Sequence, residues 1–467
     1  MDSETLRVID KLEIRRLIPS GLQSQSKYLL RWGLLGLIVR LIVMPLMGHP
    51  DAMIVARIGL TLGSKQQLIP SVDPPLVFLF YSAYLKLIGP VLPSAVVGVL
   101  TDPTQYSPEG LRIAFAMNQT GLGLFLFLLK IPLLLLDFVA AVALLWIPSQ
   151  PSKGLAAYKL WMLNPVSLLV TFAVGQYDIF AVSLFLVGLA LLRRERYMSS
   201  ALVFGLAGAF KLVGILFLLP LAIYTIRHLG GSKGMIKGFS VLTVGLLTAG
   251  VGLSAALLMP KFYQSANLAL PLTYVDGFYQ NTLYTQGATG NSILNGLFRF
   301  VVGYSASLST PGSNDVFVLM PMSYAILLFA VATFQDWNRV SLAYAFMGFL
   351  FSYYALSLFL PQWFLWVQPL LLLWVADKVV GAKLTYIVST AFFFVYTLKW
   401  DPGFTTNLLA PIDPKYLGMT GPYQWLMQAG LPPEQIVWAG RAVLSASLLF
   451  GIALLAQHLS RMKELHS

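Results

Sequence analysis

The sequence has no cysteine, few histidines and few charged residues, and each shortage excludes a kind of protein. Without a thiol, the chain can form no disulfide, thiolate nucleophile or cysteine-ligated metal site. Its four histidines are scattered, which argues against a histidine-built metal site. Only 11% of its 467 residues are charged and 57% are hydrophobic, whereas soluble domains carry about 25% charged residues. The composition excludes a soluble globular protein, a disordered chain and a nucleic-acid-binding module.

Long apolar runs are abundant. Runs of about 20 residues, the length that a membrane-spanning helix needs, recur from Leu29 to Leu455. We therefore expect an all-α, polytopic integral membrane protein in a lipid bilayer, with about twelve transmembrane helices. The expected spans lie near residues 29–47, 119–147, 155–173, 177–192, 199–210, 212–226, 237–258, 315–334, 340–358, 362–376, 382–398 and 436–456.

Basic residues orient these spans. The net charge is +12, and cytoplasmic loops of membrane proteins carry the excess of Lys and Arg. This rule makes both termini cytoplasmic. It also makes 75–92 an interfacial helix, because counting that segment as a span would turn the basic loops outward. The long external loops are 48–118, 259–314 and 399–435. The division of the chain is a cytoplasmic amphipathic segment 1–28, a transmembrane module 29–258, the loop 259–314 and a C-terminal transmembrane module 315–467.

The segment 199–226 is flanked on both sides by basic stretches that belong inside. It is therefore predicted to form two short helices with a turn near Lys211 at the outer side. Broken helices at membrane depth are tolerated where they line a cavity. An ammonium there suits an anionic ligand, phosphate in particular. The alternative is a lysine that snorkels to the membrane interface.

Two charged residues are expected at similar depth inside the first two spans. Arg40 lies about nine residues into the first span, and Asp137 lies about ten residues from the inner end of the second. Because a helix rises about 1.5 Å per residue, the two side chains start from similar depths in the membrane. Charged groups within spans are costly unless they pair. We expect an Arg40–Asp137 ion pair with a structural role.

Two aspartates mark the first external loop. Asp51 ends the sequence GHPD, and Asp73 comes 22 residues later before two prolines. A carboxylate near the membrane surface can act as a general base toward a hydroxyl. The alternative is that both aspartates cap the loop.

Two further polar motifs stand at outer helix ends. In GQYD, Gln176 and Asp178 can hydrogen-bond a polar ligand, although Asp178 alone is also explained as a helix N-cap. In LPQWFLW, Gln362 follows a proline, whereas Trp363 and Trp366 are read as aromatic-belt residues.

Together these motifs resemble the GT-C superfamily of membrane glycosyltransferases, in the order which that family shows. The resemblance covers about residues 29–376. The sequence has no DxD motif, which argues against a metal-dependent member. The matching stretches are GHPDAMIVARIG, VDPPLVF, LKIPLLLLDF, NPVSLLVTFAVGQYDIF, GLAGAFKLVGILFLLP and LPQWFLWVQP.

The resemblance implies an inverting transferase that needs no metal and no cofactor. It moves one sugar, with mannose the family's common choice, from a polyprenyl- or dolichyl-phosphate donor to a glycolipid or glycan acceptor. Asp51 would deprotonate the acceptor hydroxyl. The resemblance further implies that Lys211, Gln362 and Arg299 hold the phosphate, and that Asp73, Gln176 and Asp178 shape the site or bind sugar hydroxyls.

Other functions remain open at this stage. A secondary transporter or lipid-linked-sugar flippase would need charged residues near the midplane of several spans, and we count only Arg40 and Asp137. A non-catalytic assembly subunit would leave the polar motifs unexplained, and a lipid-linked polymer ligase would take a longer glycan as donor. Short loops and the lack of cysteine favour a prokaryotic plasma membrane over the endoplasmic reticulum, with the site on the extracytoplasmic side.

Overall fold

The computed structural model describes residues 20–62, 74–102, 119–255, 307–309, 316–333, 339–356 and 359–464. Over these residues the chain is an all-α membrane protein, apart from one antiparallel pair of three-residue strands. Three sequence-based expectations lie outside the described residues. They concern Asp73, Arg299 and the amphipathic character of most of the segment 1–28.

The described residues form sixteen α-helices longer than a single turn, which are numbered here in chain order. The α-helices are α1 Ser26–Leu46, α2 Pro50–Thr61, α3 Pro75–Leu87, α4 Ser94–Thr101, α5 Leu122–Trp146, α6 Pro151–Met162, α7 Asp178–Arg193, α8 Tyr197–Phe210, α9 Leu218–Leu229, α10 Gly231–Ser254, α11 Leu319–Thr333, α12 Arg339–Leu356, α13 Gln368–Ala376, α14 Ala382–Thr397, α15 Pro422–Gln428 and α16 Pro433–Glu464. A short turn Pro165–Ser167 continues as π-helix over Leu168–Val174. Tight 3-10 segments are Ser20–Gln25, Gly89–Val91, Leu212–Phe217, Pro361–Trp366, Leu398–Trp400, Thr406–Leu409 and Pro414–Gly418, and the strands are β1 Ser307–Ser309 and β2 Val316–Val318.

Helical segments occupy all twelve positions at which the sequence predicts a span. Within the described residues, six are long and apolar enough to cross a membrane. They are Ser26–Leu46, Leu122–Trp146, Pro151–Val174, Leu212–Leu229, Gly231–Ser254 and Pro433–Ser460. Others, such as α8 and α12, are apolar but shorter. The multi-pass character is therefore established, whereas the count of twelve stays a prediction.

The helix is interrupted at Lys211, where the sequence predicts a turn. The backbone of Lys211 is extended (φ −155°, ψ 123°) between α8 and the 3-10 segment Leu212–Phe217. That segment folds back so tightly that a side-chain carbon on Gly214 would collide with the backbone of Gly208. The break therefore depends on a residue without a side chain at Gly214.

The Arg40–Asp137 ion pair expected from the sequence is present and fully buried. Arg40 Nε lies 2.8 Å from Asp137 Oδ2, and Ser167 donates to the other carboxylate oxygen at 2.8 Å. Arg40 also donates to the carbonyls of Gly36 and Met162. These contacts join α1, α5 and α6, and they satisfy both charges inside the helical bundle.

Several chain segments converge at one end of the bundle, which we call the Asp51 end. The C-terminus of α1 leads there into α2, and the turn at residues 175–177 and the break at Lys211 lie beside it. A C-terminal segment, residues 398–411, packs over the same place, with Gly48 donating its N–H to the carbonyl of Leu408 at 3.0 Å. Residues far apart in sequence thus form a single polar region.

Candidate functional site

Asp51 stands in the first turn of α2. Pro50 begins the helix, and His49 caps it by accepting the Asp51 N–H on Nδ1 at 3.2 Å. The helix dipole favours a negative charge at this end. The Asp51 side chain is surrounded by protein, yet 42% of it remains accessible. A small molecule can therefore reach the carboxylate.

The carboxylate of Asp51 is held in its ionised form. Gln176 donates from its amide nitrogen to Asp51 Oδ2 at 2.5 Å, and His49 Nδ1 lies 3.5 Å from the other oxygen. Burial alone raises the pKa of Asp51, but the neighbouring His49, Gln176 and Lys211 side chains outweigh it and lower the pKa. The carboxylate is therefore ionised at neutral pH, the form that can take up a proton.

The turn that carries Gln176 is built around Gly175. Gly175 has a left-handed backbone (φ 83°), and a side-chain carbon there would lie 2.9 Å from Ala52 Cβ and 3.2 Å from Lys130 Cε. Only glycine accepts this conformation and this close approach without strain. The turn aims Gln176 at Asp51.

Lys130 holds the same turn through hydrogen bonds to backbone carbonyls. The sequence shows it only as a single lysine in an apolar run and does not predict this role. Lys130 is fully buried in α5 and donates to the carbonyls of Met44, Met47 and Phe172 at 3.1, 2.5 and 2.7 Å. These carbonyls end α1 and the helical segment before Gly175, where helix dipoles favour a cation. Lys130 is thus a further charged residue within the predicted spans, in addition to Arg40 and Asp137.

Lys211 lies in a second polar group that adjoins the first. It is buried, with Nζ 3.9 Å from Asp178 Oδ1 and 3.3 Å from the hydroxyl of Tyr177, above whose ring it sits at 4.6 Å. The interpretation as a snorkelling lysine is wrong, because the ammonium points into the protein. Tyr177, which the sequence did not single out, connects this group to Gln176.

Trp366 holds Asp178 in place. Its indole N–H donates to Asp178 Oδ1 at 2.8 Å, and both side chains are buried. The aromatic-belt interpretation of Trp363 and Trp366 is therefore wrong, since both rings face the interior. The N-cap interpretation of Asp178 is also wrong, because Tyr177 occupies the cap position and α7 begins at Asp178.

Gln362 lies in the same 3-10 segment as Trp366 and is also buried. Among the described residues it forms no hydrogen bond to Lys211 or Asp178. The structure therefore brings Asp51, Gln176, Asp178 and Lys211 into one connected group. It places Gln362 on an adjoining segment.

A shallow, half-open apolar groove with a cavity volume of about 20 Å³ lies near this group. It runs between α7, the 3-10 segment after Lys211 and α12. Its lining is Ala181, Val182, Phe185, Val213, Gly214, Phe217, Leu350 and Trp366. One residue, Trp366, thus contacts both the groove and Asp178. The polar group therefore adjoins a small apolar groove through Trp366.

The segment 398–411 covers the other side of Asp51. The rings of His49 and Phe404 are 5.0 Å apart, and Trp400 packs against Phe404 with centroids 6.3 Å apart. No motif in the sequence marked this contact, because it joins positions that lie more than 350 residues apart.

Within the described residues, no three histidine or carboxylate side chains come together as metal ligands would. A comparison with models of protein families finds no match for this chain, and a search of curated proteins finds none either. The arrangement of the site is therefore the basis for assigning a function.

Proposed function

We propose that the chain is a membrane glycosyltransferase of the GT-C type, which transfers one sugar from a polyprenyl-phosphate donor to an acceptor hydroxyl. The observation that carries the proposal is that an accessible, ionised Asp51 and a buried Lys211 belong to one connected polar group. Gln176, Tyr177 and Asp178 connect the two.

The chemistry requires a base on one side of the anomeric carbon and an anion-binding group on the other. Asp51 takes the proton of the acceptor hydroxyl as its oxygen attacks the anomeric carbon. The bond from that carbon to the donor phosphate oxygen breaks, and its electron pair leaves with the phosphate. The sugar is transferred with inversion. Lys211 stabilises the charge of the departing phosphate.

The groove supports a lipid donor. Its lining is apolar, and Trp366 in that lining donates to Asp178, whose carboxylate lies 3.9 Å from the Lys211 ammonium. The apolar surface at this groove would face the polyprenyl chain of a donor whose phosphate lies near that cation.

The finer features of the proposal come from the sequence and the resemblance. They are twelve spans, a site on the extracytoplasmic face of a prokaryotic plasma membrane, mannose as the sugar, and a glycolipid or glycan as the acceptor. The phosphate-binding group further includes Gln362 and Arg299, and Asp73 contributes to the sugar site.

A transporter or lipid-linked-sugar flippase is the alternative, and Lys130 adds one more charge within the spans. However, Lys130 is bound by three backbone carbonyls, and Arg40 and Asp137 bind each other. Side chains committed to such static contacts do not provide a path for a solute.

The test is transfer of labelled sugar from a panel of polyprenyl-phosphate monosaccharides by the purified protein, reconstituted with its native membrane lipid extract. Wild type and Asp413→Asn are expected to transfer sugar to an acceptor, whereas Asp51→Asn is expected to lose about 100- to 10,000-fold in rate. Asp413 is the matched control because it is an exposed carboxylate paired with Lys415. Full activity of Asp51→Asn, or label that accumulates inside the vesicles without transfer, would overturn the proposal.

A further inference from the structure

A second cationic group lies at the Asp51 end, outside the site described above. It is formed where the 3-10 segment Leu398–Trp400 contacts both α15 and the start of α16. We call it the Lys399 patch, and its members are Lys399, Trp400, Trp425, Trp438 and Arg441.

Lys399 is the cation at the surface of this patch. Its Nζ lies 5.5 Å from the ring centre of Trp400 and 5.9 Å from that of Trp438. Among the described residues it makes no ion pair and no hydrogen bond. Partial burial, with the nearby charge of Arg441, lowers the pKa of Lys399. The ammonium thus sits where it lacks a compensating anion.

Arg441 lies behind Lys399 and adds to its positive potential. It is buried on α16 and donates to the carbonyls of Tyr354 and Ala355 at the end of α12. The nearest acidic side chain on α16 is Glu434, which interacts with the hydroxyl of Tyr423. Asp401, two residues from Lys399 in the chain, accepts from the backbone N–H of Tyr423, so both nearby carboxylates are engaged with Tyr423.

Exposed indoles lie on both helices that contact this segment. Trp425 is 49% exposed and Trp438 is 44% exposed, and α16 is one of the helices long enough to span the membrane. Tryptophan rings at the ends of membrane spans lie at the level of lipid headgroups. Nearby Met427 and Leu431 are also exposed. The surface around Lys399 is therefore suited to contact lipid.

We propose that the Lys399 patch binds the headgroup of an anionic phospholipid in the leaflet on the Asp51 side of the membrane. The lipid phosphate pairs with the Lys399 ammonium, and the acyl chains run along the indoles and the exposed face of α16. A zwitterionic lipid fits less well, because its own ammonium would meet the positive charges of Lys399 and Arg441.

Such a lipid would also stabilise the cover of the candidate site. Trp400 follows Lys399 directly and packs on Phe404, which packs in turn on His49 beside Asp51. A lipid that holds Lys399 in place thus restrains the segment 398–411 against the site. Lipid binding at the Lys399 patch does not depend on the proposed glycosyltransferase function, so an experiment can contradict either proposal without the other.

The experiment measures lipid retention directly. Wild-type protein in phosphatidylcholine nanodiscs that contain a minor fraction of phosphatidylglycerol is analysed by native mass spectrometry for bound lipid. We expect preferential retention of phosphatidylglycerol, about fivefold weaker binding in Lys399→Ala, and recovery in Lys399→Arg.

Lys415→Ala is the matched control. Lys415 is an exposed lysine on the same stretch of chain, but it already pairs with Asp413 at 2.8 Å, so its loss should leave retention unchanged. The proposal is overturned if Lys399→Ala retains phosphatidylglycerol as wild type does, if Lys415→Ala weakens retention equally, or if phosphatidylcholine is retained equally well. Elution as a single species confirms that each variant is folded.

Discussion

The side-chain amide of Gln176 donates a hydrogen bond of 2.5 Å to the carboxylate of Asp51, across a separation of 125 residues. This contact joins the helix that begins after His49 to the turn at Gly175. It orients the carboxylate and stabilises its charge. The same turn continues into Tyr177 and Asp178, which contact Lys211. Gln176 is therefore the link between the two halves of the candidate site.

Replacement of Gln176 by leucine is expected to slow sugar transfer by up to about 100-fold, because the carboxylate loses its orientation. The main effect should fall on kcat, since the substrate groups remain. Without this hydrogen bond the pKa of Asp51 rises, so the acid limb of the pH profile moves toward neutral pH. A lower rate with an unchanged pH profile would contradict this positioning role.

His49 makes the largest contribution that lowers the pKa of Asp51. In the wild type, activity that needs the Asp51 carboxylate should persist above its lowered pKa and disappear only as the pH falls through that value. His49→Asn keeps a good helix cap but removes the ring, so the acid limb should move upward. The pH dependence of kcat/KM measures this shift, and Asp413→Asn serves as the control. An acid limb at the wild-type position would refute the assignment.

Lys211→Met should weaken donor binding by about 10- to 100-fold, the value of a charge-assisted hydrogen bond. Lys211→Arg should restore part of it, because the positive charge is kept. The readout is KM for the polyprenyl-phosphate sugar. Lys415→Met is the control, because it removes an exposed lysine outside the candidate site. If KM for the donor is unchanged in Lys211→Met, Lys211 does not hold the phosphate.

Lys130→Met is expected to reduce folding stability by about 1–3 kcal/mol, because buried carbonyl groups lose their donor. Thermal unfolding of the purified protein in detergent measures the loss. Lys86→Met is the control, since Lys86 is exposed near the end of α3. Equal unfolding midpoints for wild type and Lys130→Met would show that these hydrogen bonds contribute little.

Gly175→Ala should reduce activity more than stability. The new methyl group would lie 2.9 Å from Ala52 Cβ and push Gln176 away from Asp51. Gly230→Ala separates this clash from backbone strain, because Gly230 also has a positive φ but open space around it. We expect full activity for Gly230→Ala and a strong loss for Gly175→Ala. Similar losses in both variants would attribute the effect to backbone strain alone.

The sequence by itself determined the class of the protein and several local features. Apolar runs of about 20 residues dictate membrane-spanning helices, and the cost of a lone charge in a span predicts the Arg40–Asp137 pair. The break at Lys211 follows from basic flanks on both sides of one apolar segment. These inferences succeed because the membrane imposes the same demands on every segment, whatever its neighbours are.

Only the tertiary structure decided which polar side chains meet. Trp366 donates to Asp178 across 188 residues, and Lys130 binds carbonyls from two other segments. Near Asp51, Phe404 packs on His49. Such contacts depend on how helices pack and where chain segments fold back, and these are set by the fit of many side chains at once. No local pattern of residues carries that information, so the composition of the candidate site emerged only from the fold.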